Sequence, residues 1–204
     1  MAPRLSPDGR RAAVVIVAEG GGRQDIWVYD AERPTRTRLT FDGANDPVWT
    51  PDGRRITYGS ATSSGEQLFW VTADGSGKPV RLVTSPTAQS PHSWSLDGKV
   101  LAFYERKEQG ALRDMWVLPL TGERKPVPFL VTPFNERSPM FSPDGRWLAY
   151  VSDESGRDEV YARSYPESGQ KIPISTEGGT DPVWSKDGRE LFYRNGDSLM
   201  AAPV

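Results

Sequence analysis

The stretch Phe141–Tyr150, read as Phe-Ser-Pro-Asp-Gly-Arg-Trp-Leu-Ala-Tyr, decides the fold of this chain because variants of it return at a near-constant interval. Five copies occur, each marked by an Asp-Gly pair that follows a Ser or Thr. The marker aspartates are Asp8, Asp52, Asp97, Asp144 and Asp187. Their successive spacings are 44, 45, 47 and 43 residues. A period in the forties made of short strands predicts an all-β radial array, the β-propeller.

Each copy of the motif encodes a tight turn. Proline presets φ at the second position of the turn, aspartate suits the third, and glycine adopts the left-handed conformation that closes a three-residue hairpin. We interpret the aspartates as structural, because a carboxylate in such a turn accepts nearby backbone N–H groups. The turn residues are Asp8, Gly9, Asp52, Gly53, Asp97, Gly98, Asp144, Gly145, Asp187 and Gly188.

Around each turn the sequence alternates as four short strands. In repeat four these are Met140-Phe141, Leu148–Tyr150, Glu159–Ala162 and Lys171–Ile174. Four strands with large apolar residues on the inner three suit blades that stack face to face. We therefore expect one domain over residues 1–204, with repeats at about 1–44, 45–89, 90–136, 137–179 and 180–204.

The fifth repeat is shorter than the others. After its second strand, Ser198–Val204 supplies a third strand and no fourth, while Met1–Leu5 already supplies the first strand of repeat one. The predicted fold is four full four-stranded blades plus an incomplete fifth, either a five-bladed ring or a fragment of a six-bladed one. An open array would expose an apolar blade face and a strand edge, so self-association through the incomplete blade is an expectation.

Composition limits the partners. The net charge of −2 and a pI near 5.6 argue against nucleic acid, since phosphate binding needs a basic surface. The absence of cysteine excludes thiol catalysis and Cys-ligated zinc, and leaves the redox compartment open. No apolar stretch of about 18 residues occurs, so we expect no membrane insertion by this chain. No secretory leader is recognised, so a targeting sequence for work outside the cytoplasm would have to lie upstream.

Catalytic motifs are poorly represented. His92 is the only histidine, which leaves a Ser-His-Asp triad or a two-His metal site without its parts. The sequence also lacks the Gly-x-Ser-x-Gly nucleophile elbow of the propeller-capped peptidases. We therefore expect no catalytic residues, no metal and no cofactor.

The remaining candidate site is a surface. Propeller topology brings the loops before each innermost strand to one face, around the mouth of a central channel. The residues expected there are Asn45, Asp46, His92, Asn135, Glu136, Arg137, Thr180 and Asp181. A mixed-charge mouth beside Phe134 suits a peptide or protein segment better than a small apolar ligand. A solvated loop rim without a ligand is the open alternative.

At the turn motifs the chain resembles the TolB-like (PD40) family of β-propellers, whose repeat is Trp/Phe-Ser-Pro-Asp-Gly-Arg/Lys-x-Leu/Ile-Ala-Tyr/Phe. Phe141–Tyr150 matches this pattern at every position. Repeat one departs from it most, at Leu5 and Ala12, whereas repeats three and five replace the proline by Leu96 and Lys186. The resemblance covers the whole chain and implies a propeller fold.

A narrower likeness lies in the last third of the chain. Val131–Pro139 and Ser175–Trp184 look like segments of propellers carried at the C-terminus of some bacterial Ser/Thr kinases. That resemblance implies an accessory sensing module, extracytoplasmic if it follows a membrane-anchored kinase and otherwise cytoplasmic. The kinase motifs themselves, His-Arg-Asp and Asp-Phe-Gly, are missing.

The sequence thus favours a non-enzymatic scaffold that binds protein or peptide through the channel mouth, as a sensory or accessory part of a bacterial signalling protein. Three alternatives stay open: the N-terminal gating propeller of a prolyl-oligopeptidase-like hydrolase, a propeller lyase or hydrolase with its own metal, and a truncated fragment without independent function.

Overall fold

The structure of the protein, a computed structural model, describes residues 3–18, 20–63, 65–106 and 112–204. These residues form antiparallel strands joined by turns, and no helix occurs among them. The chain divides into two compact units, Met1–Pro91 and His92–Val204. The expectation of one domain over all 204 residues stays a prediction.

The first unit contains two four-stranded sheets whose strands follow one another in sequence order. The strands of the first sheet are β1 (Arg4–Leu5), β2 (Arg11–Val17), β3 (Gln24–Asp30) and β4 (Arg36–Arg38). The strands of the second sheet are β5 (Asn45–Trp49), β6 (Arg55–Thr62), β7 (Gly65–Thr72) and β8 (Val80–Arg81). Met1 and Ala2, part of the strand expected at Met1–Leu5, lie outside the described residues.

Three sheets follow, and the strand that opens them, β9, crosses the boundary between the two units. The third sheet comprises β9 (Gln89–Trp94), β10 (Val100–Arg106), β11 (Arg113–Pro119) and β12 (Val127–Leu130). The fourth comprises β13 (Arg137–Phe141), β14 (Trp147–Ser152), β15 (Glu159–Ser164) and β16 (Lys171–Pro173). The fifth comprises β17 (Thr180–Trp184), β18 (Glu190–Asn195) and β19 (Ser198–Pro203).

The prediction of an all-β fold built from repeated antiparallel blades is confirmed. The five sheets coincide with the five repeats, four having four strands and the last having three. In the last sheet β19 lies at the edge, where Leu199 is 74 % exposed. An apolar edge strand of this kind is a template for further strand pairing.

The same hydrogen bonds close all five turns. In each, the Ser or Thr hydroxyl donates to the aspartate carboxylate over 2.5–2.7 Å. The same carboxylate oxygen accepts the backbone N–H two residues on, at 3.0–3.2 Å. The glycine that follows has φ between 63° and 71°, a left-handed conformation that a side chain would strain. The aspartate carboxylates therefore accept hydrogen bonds within the turn and have a structural role.

The core lies between neighbouring sheets within each unit. In the first unit Ile26 and Ile56 are fully buried in one cluster, and the Trp49 indole donates to the Arg4 carbonyl at 2.8 Å. In the second unit the Trp184 indole donates to the Met140 carbonyl at 3.1 Å, in a cluster that also buries Leu191. Trp49 and Trp184 thus pack apolar surface and also satisfy the indole N–H on the preceding blade.

We expect Asp144→Ala to lower the free energy of unfolding at pH 7 by about 1 kcal/mol, because it removes two hydrogen bonds of one turn. Donation from Ser142, followed by that from Arg146, lowers the pKa of Asp144 to about 2, against the opposing effect of burial. A carboxyl group with a lowered pKa stabilises the fold above its unfolded-state pKa. This contribution is lost as the pH falls from about 4 through about 2.

Urea unfolding between pH 7 and pH 2 measures this effect. Asp144→Asn is the matched control, since it keeps the shape of the side chain but cannot titrate. The stability difference between the wild type and Asp144→Asn should shrink across this acid range. A difference that is constant with pH would contradict the assignment.

Candidate functional site

The innermost strands of the second, fourth and fifth sheets begin with the same backbone irregularity. Asp46, Ser138 and Asp181 have φ of 49°, 57° and 53°, and each precedes a proline. The pairing register shifts at the same place, so each strand starts with a β-bulge. Left-handed residues other than glycine are uncommon and concentrate at functional sites. Bulges have the same tendency, because they redirect a side chain.

The third sheet lacks this irregularity. Pro91 occupies the position that Asp46 holds in the second sheet, and a proline ring excludes positive φ. None of the described residues of β9 has a positive φ. His92 instead packs its ring against Tyr104, with the ring centroids 5.1 Å apart. His92 is therefore placed by an aromatic neighbour and not by a bulge.

Arg137 is held in a fixed orientation in the second unit. Its guanidinium forms two hydrogen bonds with Asp158, one at 2.8 Å and one shorter. Hydrogen bonding to Asp158, with the fields of Asp153 and Asp181, raises the pKa of Arg137 against the effect of burial. Donation from Arg137 lowers the pKa of Asp158 in turn. This forked pair presents a fixed positive group among three carboxylates.

The neighbouring predicted residues are placed differently from one another. The Asn135 N–H donates to Asp153 at 2.9 Å, and the Asn135 side-chain oxygen accepts from Arg113 at 3.3 Å. Glu136 is only 1 % exposed and accepts a hydrogen bond from the Thr132 hydroxyl. A buried carboxylate cannot touch a ligand at the surface, so Glu136 supports the loop from beneath.

Thr180 and Asp181 lie at the start of β17. The Thr180 hydroxyl donates to the Asp181 carboxylate at 3.3 Å, and Arg194 lies 3.9 Å from the same carboxylate. The Asp181 and Arg194 side chains are 62 % and 59 % exposed. Both charges are therefore available to a partner. In the first unit Asp46 accepts a hydrogen bond from the Ser90 hydroxyl at 2.6 Å.

These loops are positioned by a set of buried polar residues that was not predicted from the sequence. They stand at the beginning of the third strand of each full blade and are less than 10 % exposed; they are Asp25, Gln67, Asp114 and Glu159. Asp25 accepts from the Thr40 hydroxyl at 3.1 Å, and Gln67 accepts from the Ser85 N–H at 2.9 Å. Their residue types vary, so no repeated letter reveals them in the sequence.

Glu159 shows how such a residue acts. Its carboxylate accepts from the Gly178 N–H at 2.9 Å, from Arg157 at 2.8 Å and from the Ser175 hydroxyl. Burial opposes ionisation, but these hydrogen bonds outweigh it and lower the pKa of Glu159. The loop that leads to Thr180 and Asp181 is thus fixed by a buried carboxylate.

The chemistry of these residues suits binding. Within residues 3–18, 20–63, 65–106 and 112–204, no group of three or more His, Asp or Glu side chains is arranged to hold a metal ion. What the second unit does offer is Arg137, Asp181 and Arg194 at the ends of adjacent blades, with Phe134 39 % exposed. Charged and aromatic groups on a bulged strand end can contact an extended polypeptide.

Repeated antiparallel blades, each closed by the same turn and four of them with an aromatic residue at the end of the innermost strand, define a β-propeller. The sequence matches the TolB beta propeller domain family over residues 1–123, which is more than half of the chain. The chain therefore belongs to the TolB (PD40) β-propeller family.

Two curated relatives are proteins named as peptidases. The "Uncharacterized peptidase YuxL" of Bacillus subtilis is 29 % identical over 161 residues, which are 78 % of this chain and 22 % of that protein. "Dipeptidyl-peptidase 5" of Trichophyton equinum is 28 % identical over 201 residues, 95 % of this chain and 25 % of that protein. The chain thus spans about a quarter of the length of these relatives.

A solved structure, TolB from Acinetobacter baumannii, shares the fold with a TM-score of 0.80 at 20 % identity, over 100 % of this chain and 54 % of that one. In the part of the chain that the structure covers, no helix is long and apolar enough to cross a membrane.

We expect Glu159→Ala to lower the free energy of unfolding by about 3 kcal/mol, because it leaves the buried Ser175 hydroxyl and the partly buried Gly178 N–H without their charged acceptor. The N–H of Gly178 should also exchange with deuterium faster, since the carboxylate no longer holds it. Hydrogen exchange and urea unfolding measure the two effects. Glu177→Ala is the control: Glu177 is exposed in the same loop, and its variant should match the wild type. An unchanged rate of deuterium exchange at Gly178 in Glu159→Ala would show that Glu159 does not fix this loop.

Proposed function

We propose that the chain is a non-enzymatic binding module that captures an extended protein or peptide segment at the starts of its innermost strands. The observation that carries this proposal is the arrangement in the second unit. There the fixed Arg137 guanidinium and the exposed Asp181 carboxylate lie at the bulged starts of β13 and β17. Phe134 lies on the loop that leads to β13. His92, Asn135 and Thr180 belong to the same proposed surface, whereas Glu136 supports it from beneath. Asn45 and Asp46 are the corresponding residues of the first unit.

The charges favour a polypeptide over a small apolar ligand. Arg137 offers donors to a carboxylate or a carbonyl, and Asp181 offers an acceptor to an N–H or a cation. Their partial exposure lets each group exchange solvent for a partner without the cost of deep burial. A sensory or accessory role in a bacterial signalling protein is part of this proposal and is supported by the likeness to kinase-borne propellers.

The unpaired edge of β19 is a second place where a polypeptide could bind. A fourth strand added there would complete the fifth blade by backbone pairing, as β4, β8, β12 and β16 do in the others. A second copy of the chain could supply that strand, and so could further sequence of a larger, six-bladed ring.

A phage-displayed library of linear peptides, panned on the purified chain, tests the proposal. We expect enriched peptides whose binding weakens about tenfold in Asp181→Ala and in Arg137→Ala, because each variant removes one charged contact. The matched control is Lys186→Ala, an exposed charge in the turn of the same blade, which should bind as the wild type does. Circular dichroism and urea unfolding confirm that the variants fold.

Enrichment of no peptide would overturn the binding role. Equal binding by Asp181→Ala, Arg137→Ala and the wild type would overturn the surface assigned to it.

The second candidate is the gating propeller of a prolyl-oligopeptidase-like hydrolase. The similarity to proteins named as peptidases, of which this chain covers about a quarter, favours it specifically. In that role the propeller would screen substrates for a separate α/β-hydrolase domain.

We expect this second role to be visible only when such a domain is present. Sequencing the gene beyond this chain and assaying its full product with chromogenic dipeptide p-nitroanilides would decide it. Hydrolysis that requires a downstream serine hydrolase domain would favour the gating role. A full product without that domain and without hydrolysis leaves the binding module.

A further inference from the structure

Gly59 differs from its counterparts in the other blades. It lies in the middle strand β6, where it pairs with Asn45 on β5 and with Leu68 on β7. The other second strands have Val15, Tyr104, Val151 and Arg194 at the matching position. The second sheet therefore lacks a side chain where every other sheet has one, although Gly59 has no left-handed φ that would demand glycine.

The missing side chain leaves a small cradle. A Cβ atom on Gly59 would lie 2.5 Å from Glu66 Oε1 and 2.6 Å from Asn45 Oδ1, closer than real atoms approach. The two oxygens thus converge on one point above the Gly59 backbone. In the fourth sheet the matching pair is Arg137 and Asp158, a cation with a carboxylate. In the second sheet both oxygens are acceptors.

The Asn45 oxygen is the independent sign of an absent donor. Asn45 Oδ1 is buried and has no hydrogen-bond partner among the described residues. A buried acceptor without a donor costs about 1–3 kcal/mol, so a fold that keeps one gains when a ligand supplies the donor. A ligand that donates to Asn45 Oδ1 beside the Glu66 carboxylate would carry positive charge.

A cavity of about 570 Å³ opens onto this cradle. Asp42 and Glu66 contribute negative charge to its wall, and the field of Asp42 adds to burial in raising the pKa of Tyr58 to about 12. Arg23, the one cation among the described residues of the wall, donates to the Phe41 carbonyl at 2.7 Å. The space is larger than a lone ion needs and falls in the range of pockets that hold whole small ligands, so a long side chain can enter it.

We propose that this cradle, formed by Asn45, Gly59 and Glu66, is a specificity pocket for the guanidinium of an arginine side chain in a bound polypeptide. The inference deepens the proposed function and rests on it. A guanidinium carries its donors in a planar fork, so one nitrogen reaches the amide oxygen while another reaches the carboxylate. An ammonium presents a single centre, which matches two separated acceptors less well. The aliphatic stem of arginine lies along the cavity wall beside Ala44 and Ala61.

An NMR titration with blocked tripeptides tests this pocket directly. The probes are N-acetyl-Gly-Arg-Gly-amide, its lysine analogue and its glutamate analogue, whose blocked ends exclude recognition of a terminal amine. We expect the arginine peptide to shift the amide resonances of Gln24, Asn45 and Gly59. The lysine peptide should bind more weakly and the glutamate peptide should not bind.

Two variants assign the contact. Gly59→Ala places a methyl group in the cradle without changing any charge, and Glu66→Gln removes the charge without changing the shape. Each should weaken arginine-peptide binding about tenfold, because a charge-assisted pair of hydrogen bonds is lost. Gly169→Ala is the control, since Gly169 also has ordinary φ and lies in the second unit. Urea unfolding shows whether each variant is folded.

Two binding results would overturn the inference: equal binding of the lysine and arginine peptides, or unchanged binding of the arginine peptide in Gly59→Ala. Two results on the free protein would also overturn it. These are broadening of the Gly59 resonance by Mn²⁺ alone and slow exchange of the Asn45 side-chain amide protons. The last would show that this amide already bonds within the cradle. Shifts confined to residues near Arg137 would remove the pocket and leave the binding module intact. Binding of the arginine peptide in the pocket, with no library peptide captured through Arg137 or Asp181, would keep the pocket and remove the surface proposed in the second unit.

Discussion

A sheet of three or four strands with large apolar side chains on both faces cannot leave either face in water, and this constraint organises the chain. Ile56, Leu148 and Leu191 are fully buried although each lies in a sheet only a few strands wide. Burial of such a side chain contributes about 1.5–3 kcal/mol, so the sheets stack as blades and do not separate. Each blade must also reverse its chain tightly between the first and second strands. The five turns do this with the same hydrogen bond between one hydroxyl and one carboxylate.

Once the blades are stacked, the loops that precede the innermost strands differ freely in side-chain chemistry. The interior still limits their shape. Asp25 and Glu159 reach from the third strand to the loop that follows the fourth, and hold glycine N–H groups in each case. Polar residues buried under a loop make its surface rigid, and a rigid surface loses less entropy when it binds. The loops thus carry different side chains on backbones that buried polar residues hold in place.

The sequence predicted the fold because the residues of the turn motif recur along the chain. Asp144 and Gly145 have a counterpart pair at a near-constant spacing in every copy, so the spacing identified the blades. The residues at the strand ends had no such signal. A proline at position 47, 139 or 182 suggests an extended preceding residue, yet Asp46, Ser138 and Asp181 are left-handed because a bulge imposes this conformation. The position of Glu136 in the loop predicted a surface residue, but its side chain is buried and accepts a hydrogen bond from Thr132 within that loop. The missing side chain at Gly59 is evident only from the strand register, which aligns Gly59 with larger residues in the other blades.

The left-handed residues also restrict how this surface can evolve. A positive φ before proline is tolerated by asparagine, aspartate, serine and glycine far better than by bulky or branched residues. Positions 46, 138 and 181 can therefore exchange only among short, mostly polar side chains. The residue immediately before each of them stands on ordinary strand backbone, and there the chain already carries asparagine, arginine and threonine. New ligand preferences in this family would thus arise one residue earlier, at a site where mutation is not penalised by the backbone.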